Sequence, residues 1–190
     1  MTQAFTLHLM RHGAPVVPGR MMGRTDVAPT PEGVAACVAR AAGLTFAGVI
    51  SSDLARSRTP ASAIASARGV PHMVDARWRE LDFGQWDGRA AGEIDAEALH
   101  RFHADPDANP PPEGESWSAL TGRVGEGINA LPPLPTLILT HAGAMRAALA
   151  VLCGFAQAQL WSIDLPYGAL LSLRIWPGEQ RMAQITGLVP

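Results

Sequence analysis

Two apolar runs in this chain each end on a histidine with a glycine close behind. The first is Leu7-His-Leu-Met-Arg-His-Gly13 and the second Thr136-Leu-Ile-Leu-Thr-His-Ala-Gly143. A strand that stops at Arg11, His12 and Gly13 puts a cation, a titratable imidazole and a permissive backbone at one sheet edge. A second strand stopping at His141 suggests two imidazoles converging on one anion. Arg56 follows four residues past Ser52, and Glu80 follows a third apolar run. Phosphoryl transfer needs a nucleophile, cations for the equatorial oxygens and an acid for the leaving oxygen. This set supplies each part without a metal. Arginine forks match phosphate geometry, and the amides of Ala142 and Gly143, opening a helix, add partial positive charge.

The elements that must carry these residues can be read along the chain. Strands are expected at Phe5–Met10, Gly48–Ser52, Val70–Val74 and Thr136–Thr140, with a final hairpin of Gly168–Trp176 and Arg181–Val189 around Pro177-Gly178. Helices are expected from Pro31 to Gly43 with Thr30 as N-cap, and from Leu54 to Ala67 capped by Asp53 or Ser52. Pro60 must sit in the first turns of that second helix or kink it. Further helices are expected at Ser116–Leu131 and Gly143–Cys153, with a short one near Ile94–His103. Alternating β and α units predict one α/β domain over residues 1–190, a three-layer α/β/α sandwich on a mainly parallel sheet. The Gly-, Asp- and Pro-rich stretch from Leu81 to Glu115 is expected to be a lid or specificity insertion. In such a fold ligands bind beyond the carboxyl ends of the strands, and Arg11, His12, Arg56, Glu80 and His141 all fall on that rim.

At 190 residues, with 47% hydrophobic and 17% charged residues and a net charge of -2, nothing favours nucleic acid or an anionic membrane as partner. All 15 basic residues are arginine; with the Ala, Gly and Pro excess this fits a GC-rich coding sequence, so arginines are judged by position. Cys37 and Cys153 lack metal-ligand spacing and are expected to be free thiols in a reducing compartment. The N-terminus has no leader character and no stretch approaches a membrane span, so a cytoplasmic protein is expected.

The chain resembles the histidine phosphatase superfamily, the phosphoglycerate-mutase-like group, over essentially its whole length. The matching residues are Leu9-Met-Arg-His-Gly13, Gly23-Arg-Thr-Asp26, Ser51-Ser-Asp-Leu-Ala-Arg56, Glu80-Leu-Asp-Phe-Gly-Gln-Trp-Asp-Gly88, Gly114-Glu-Ser116 and Thr140-His-Ala-Gly143. The resemblance implies that His12 becomes phosphohistidine, and that Arg11, Arg56 and His141 are the cations of the phosphate pocket. Glu80 would be the general acid that later activates water, Gly143 would lend its amide to phosphate, and Gly23 and Asp26 would order the loop on the phosphate side. It further implies a metal-independent, acid-type phosphatase with no cofactor, acting on a small phosphorylated metabolite. A homodimer through a sheet edge would be typical of relatives, although no residue here demands it. His12 must be neutral to attack and His141 works best protonated, which predicts an acidic or near-neutral pH optimum.

Several positions depart from the family pattern. Ala14, Pro15 and Pro18 stand where many members carry Glu or Gln, Thr or Ser, and Asn, and Thr59-Pro60 replaces Gln-Thr. With the compact length, this argues against a mutase's substrate set. Arg-His-Gly-x-Pro, Gly-Arg-Thr-Asp and Pro-Glu-Gly-Glu-Ser most resemble the α-ribazole phosphatase branch, which would make α-ribazole 5′-phosphate a substrate. The alternatives are a cofactor-dependent phosphoglycerate-type mutase and, in a different class, a non-catalytic phosphate-binding scaffold. Arg58 competes with Arg56, and Asp82 with Glu80; spacing from Ser51-Ser52 favours Arg56, and the Glu-x-x-Phe-Gly-x-Trp pattern favours Glu80. Trp86 and Trp117 are expected in core or lid packing, and His100 and His103 on a solvated helix face rather than on a metal.

Overall fold

In the computed structural model, which describes residues 3–178 and 181–190, the strands are β1 (Phe5–Arg11), β2 (Gly48–Ser51), β3 (His72–Val74), β4 (Thr136–Thr140), β5 (Leu170–Trp176) and β6 (Met182–Val189). They form one sheet in the order β3-β2-β4-β1-β5-β6. The first four in that order run parallel, β5 runs antiparallel to β1, and β6 antiparallel to β5, as the alternation and the closing hairpin predict. The hairpin expected around Pro177-Gly178 extends in sequence over Glu179 and Gln180, and the N-terminal stretch expected to lack a leader includes Met1 and Thr2; these four lie outside the described residues.

The helices are α1 (Pro31–Ala41), α2 (Ala55–Arg68), α3 (Ala96–Ala104), α4 (Trp117–Asn129), α5 (Ala142–Cys153) and α6 (Gln157–Leu160). Alternation along each strand sorts the core into two layers. Met10, Leu137 and Leu139 pack with Cys37 of α1 and Ile64 of α2 on one face. Leu7, Leu9 and Ile138 pack with Leu120 of α4 and Met145 of α5 on the other. β4 is buried along its whole length and reads as an uninterrupted apolar run bounded by threonines. Among the described residues no helix is long and apolar enough to cross a membrane.

The start of α2 corrects a sequence expectation. Neither Asp53 nor Ser52 is its N-cap; that position is Leu54, with no side-chain bond. Asp53 is drawn into an ion pair with Arg79, and the first helical amide, that of Ala55, is accepted by Asp26 Oδ1 at 2.6 Å. Pro60 is the sixth residue of α2, in the second turn and so within the first turns as expected, and the helix runs through it to Arg68. The bond it cannot make is the one to the carbonyl of Arg56. The 81–115 insertion holds two 3-10 turns, Gly84–Trp86 and Ala91–Glu93, before α3. That helix starts at Ala96, later than Ile94, because Asp95 accepts the Ala98 amide and caps it.

Candidate active site

The chain after β1 leads to α1 on one face of the sheet, and the chain after β4 leads to α5 on the other. Because β1 and β4 are neighbours, their carboxyl ends open a crevice at a topological switch point. Arg11 is in register with Thr140, and the His12 amide donates to the Thr140 carbonyl at 2.9 Å. The ladder thus runs one residue past β1, and the His12 and His141 rings lie 5.1 Å apart. Gly13 is required there: a Cβ on it would stand 2.1 Å from the Gly33 carbonyl oxygen of α1.

His12 is 5% exposed. Its Nδ1 lies 2.8 Å from the Gly13 carbonyl, which can only accept, so Nδ1 carries the proton and Nε2 the lone pair. Burial pushes its pKa down to about 3, against the Gly13 bond and with help from Arg56 and Arg11. His141 is wholly buried, and burial first, then Arg56, His12 and Arg11, lowers its pKa well below the ordinary value. The expectation that His141 works protonated runs against this environment: burial disfavours its charged form, and the Arg56 and Arg11 guanidiniums beside it act in the same direction.

Arg11 and Arg56 are held from behind. Arg11 Nη1 donates to the Leu165 carbonyl at 2.6 Å, and its guanidinium lies 4.2 Å over the ring of Tyr167. Arg56 is fully buried; Nη1 donates to Thr25, and Nη2 to Met22 and Gly23, at 2.7–2.9 Å. Arg11 Nε, Arg56 Nε and His141 Nδ1 are buried without a hydrogen-bond partner. Three such nitrogens around one imidazole form a site suited to an anion, since unpartnered buried polar atoms are costly.

Glu80 spans two elements. Oε1 accepts the Leu81 amide at 2.9 Å and Oε2 the Gly143 amide at 3.1 Å. The helix-opening amide expected to face phosphate is thus occupied by this carboxylate. Asp82, the alternative acid, instead pairs with Arg24 and turns back to the Gly84 amide. Arg58 is exposed on the far side of α2 from Arg56 and lies beside His72.

A cavity of about 290 Å³ opens over these groups, lined by Arg11, His12, Glu80, Gly143 and Tyr167 at its base. Its walls include Met21, Phe83, Phe102, Trp117 and Trp161. Arg56 and His141 lie behind this surface, not on it. Gly23 and Asp26 also stay off it. Asp26 holds the start of α2, and a Cβ on Gly23 would lie 2.5 Å from the Leu81 carbonyl, so this glycine lets its loop lie against the 81–83 segment. Trp86 is buried against Phe102, as expected of core packing, whereas Trp117 lines the cavity. His103 does not sit on a solvated face alone: it meets Trp161 edge-on at 5.2 Å and lines the cavity. Among the described residues no cluster of His, Cys, Asp or Glu could hold a metal.

Four site residues escape sequence reasoning. Tyr167, the single tyrosine, lies 5.4 Å from the His12 ring. Arg123 of α4 donates to the carbonyls of Arg77, Arg79 and Glu80, each at 2.8 Å, and pairs with Glu115. Asp87 gathers the amides of Gly23, Arg24 and Thr25 at 2.8–2.9 Å. Asp87 and Glu115 stand inside motifs visible in the sequence, but the partners of Asp87 lie 62 to 64 residues away, and Glu115 matters through Arg123, whose carbonyl acceptors lie 43 to 46 residues away.

Comparison with known proteins agrees with this geometry. Residues 7–186 match the family described as histidine phosphatase superfamily (branch 1). A probable phosphoglycerate mutase GpmB of Erwinia tasmaniensis is 31% identical over 160 residues, 78% of this chain and 74% of its own. An adenosylcobalamin/alpha-ribazole phosphatase of Salmonella typhimurium is 29% identical over 140 residues, 70% and 69% of the two chains. Among solved structures, a mycobacterial glucosyl-3-phosphoglycerate phosphatase superposes with a TM-score of 0.84 at 24% identity, covering 97% of this chain and 98% of its own. A putative alpha-ribazole-5′-P phosphatase of Escherichia coli gives 0.84 at 24%, covering 99% and 97%. These two establish the shared fold.

Proposed function

The chain belongs to the histidine phosphatase superfamily, branch 1, and on that footing we propose that it is a phosphomonoester hydrolase working through a phosphohistidine. The observation that carries this is the neutral His12, with Nε2 free, beside three unpartnered nitrogens on Arg11, Arg56 and His141. His12 Nε2 attacks phosphorus in line as the ester P–O bond breaks. Arg11, Arg56 and His141, which takes up a proton with the anion, stabilise the charge on the equatorial oxygens. A phosphoryl oxygen competes with Glu80 for the Gly143 amide. Oε2, released from that amide, takes the proton that the monoester monoanion brings in and passes it to the departing alkoxide, and Glu80 then draws a proton from the water that cleaves the P–N bond. No metal enters any step.

The substrate is a small phosphorylated metabolite. The 81–115 insertion, which supplies Leu81, Phe83, Phe102 and His103 to the cavity wall, acts as the lid that selects the leaving group. The motifs shared with the α-ribazole phosphatase branch make α-ribazole 5′-phosphate the first ester to try.

A mutase has one observation in its favour, the 31% identity to a relative named as one. It would return the phosphoryl group to a second hydroxyl and depend on a bisphosphorylated primer. The test is phosphate release in EDTA from α-ribazole 5′-phosphate, 3-phosphoglycerate, sugar phosphates and an aryl phosphate, by wild type and His12→Ala. Release lost in the variant supports the hydrolase; isomerisation of 3-phosphoglycerate only with primer replaces it with the mutase. Unchanged release by His12→Ala would overturn the mechanism.

A further inference from the structure

Arg56 is fully buried, yet among the described residues it forms no ion pair within 4.0 Å. A guanidinium taken out of water needs compensation, and carbonyls alone give it dipoles but no opposite charge. Arg56 Nη2 donates to the Met22 carbonyl at 2.7 Å and the Gly23 carbonyl at 2.9 Å. The amides of the same two peptide groups, on Gly23 and Arg24, donate to Asp87 Oδ1 and Oδ2 at 2.8 and 2.9 Å. In a planar trans peptide the C=O and N–H point in opposite directions. Asp87 and Arg56 therefore lie on opposite sides of one loop, joined in series through two peptide groups. Each bond in such a chain polarises the next.

The third amide, that of Thr25, also donates to Asp87, at 2.8 Å, and the Thr25 carbonyl takes Arg56 Nη1 at 2.9 Å. Asp87 is itself fixed by the 3-10 turn Gly84–Trp86, its amide donating to the Gly84 carbonyl at 3.0 Å. Two further backbone bonds, Gly88 to Met21 and Met21 to Arg89, each at 2.8 Å, lace the insertion to this loop.

We infer that Asp87 is a positioning residue for phosphate recognition: through the Met22–Thr25 loop it sets the plane of the Arg56 guanidinium, and with it the direction of the unpartnered Nε. The cavity insertion and the phosphate pocket are thereby one mechanical unit. The inference deepens the hydrolase assignment, because Arg56 matters only if an anion binds beside it.

A double-mutant cycle tests it, with Asp87→Asn, which removes the charge and leaves one acceptor, and Arg56→Lys, which keeps the charge but has neither the planar fork nor the Nε–H. Two quantities are read for each variant: kcat and KM on p-nitrophenyl phosphate, and the dissociation constant of inorganic phosphate by calorimetry. In the wild-type background Asp87→Asn is expected to raise KM and the phosphate constant about tenfold; in the Arg56→Lys background it changes them less than about twofold. Equal losses in both backgrounds, or a lowered Tm with phosphate affinity unchanged, would overturn the inference. Asp87→Ser serves in the same cycle if the asparagine variant does not fold. Absence of hydrolysis by wild type would count against the hydrolase, and the phosphate-binding arm would still decide the role of Asp87.

Discussion

Glu80 Oε2 accepts the Gly143 amide at 3.1 Å, and a Cβ on Gly143 would stand 2.1 Å from Glu80 Oε1. The carboxylate and the first turn of α5 therefore share one space that only glycine leaves open. Gly143→Ala is expected to displace Glu80 and to lower kcat by about 10²-fold, the scale of a misplaced catalytic group. Tm should change little, since Ala is the better helix former. Steady-state kinetics with a thermal melt checks this; unchanged kcat would mean that Glu80 is not held where it is needed.

Removing Glu80, proposed above as the proton carrier, should hurt poor leaving groups most. Glu80→Gln is expected to reduce kcat on an alkyl phosphate by about 10²–10⁴-fold, and much less on p-nitrophenyl phosphate, whose leaving group departs without a proton. Comparing the two esters in one variant decides it. Equal losses on both would assign Glu80 to binding.

Stability should depend on pH through the buried histidines. In the unfolded chain His12 takes up a proton below its ordinary 6.5, whereas in the fold its pKa is pushed down to about 3. Its contribution is complete above 6.5 and is lost as pH falls toward 3, at about 1.4 kcal/mol per pH unit. His141 has the same sign. Asp53 and Asp75, whose pKa values are lowered mainly by Arg79 and, against burial, by Arg77, add losses only below the ordinary carboxylate range. Urea midpoints between pH 7 and 5 should therefore fall, with a shallower fall for His12→Asn. A flat profile in that window would contradict burial of neutral histidines.

Arg123 ties α4 to the segment that carries Glu80. Its side chain is 17% exposed and that of Glu115 11%, so Arg123→Met leaves three carbonyls without their donor and a largely buried carboxylate with only the Asp82 amide at 3.2 Å and Arg24 at 4.0 Å. Breaking such a pair from one side costs about 3–5 kcal/mol. Arg123→Lys should recover only part of this, lacking the planar fork. Urea unfolding of both variants measures it, and a cost below about 1 kcal/mol would place the pair among ordinary surface bridges.

What was legible in the sequence was local. Val49-Ile50 and Leu137-Ile-Leu139 read as strands from their apolar runs, Thr30-Pro31 as a helix start from its cap chemistry, and Gly154 as a helix end. Those signals act within a few residues, so they survive without knowledge of the fold. The positions of Arg11, His12, Arg56, Glu80 and His141 near strand ends were legible for the same reason.

Tertiary structure decided what these residues do to one another. Insertion of β4 between β1 and β2 brings His141 to His12, and that order depends on which crossover buries which face, not on either strand's own residues. Competition among acids was likewise settled at long range. Asp53, beside α2, is claimed by Arg79, so the helix's first amide goes to Asp26, 29 residues upstream. Protonation followed too: an isolated imidazole titrates near neutrality, whereas burial, with Arg56 and Arg11 nearby, lowers the pKa of His141.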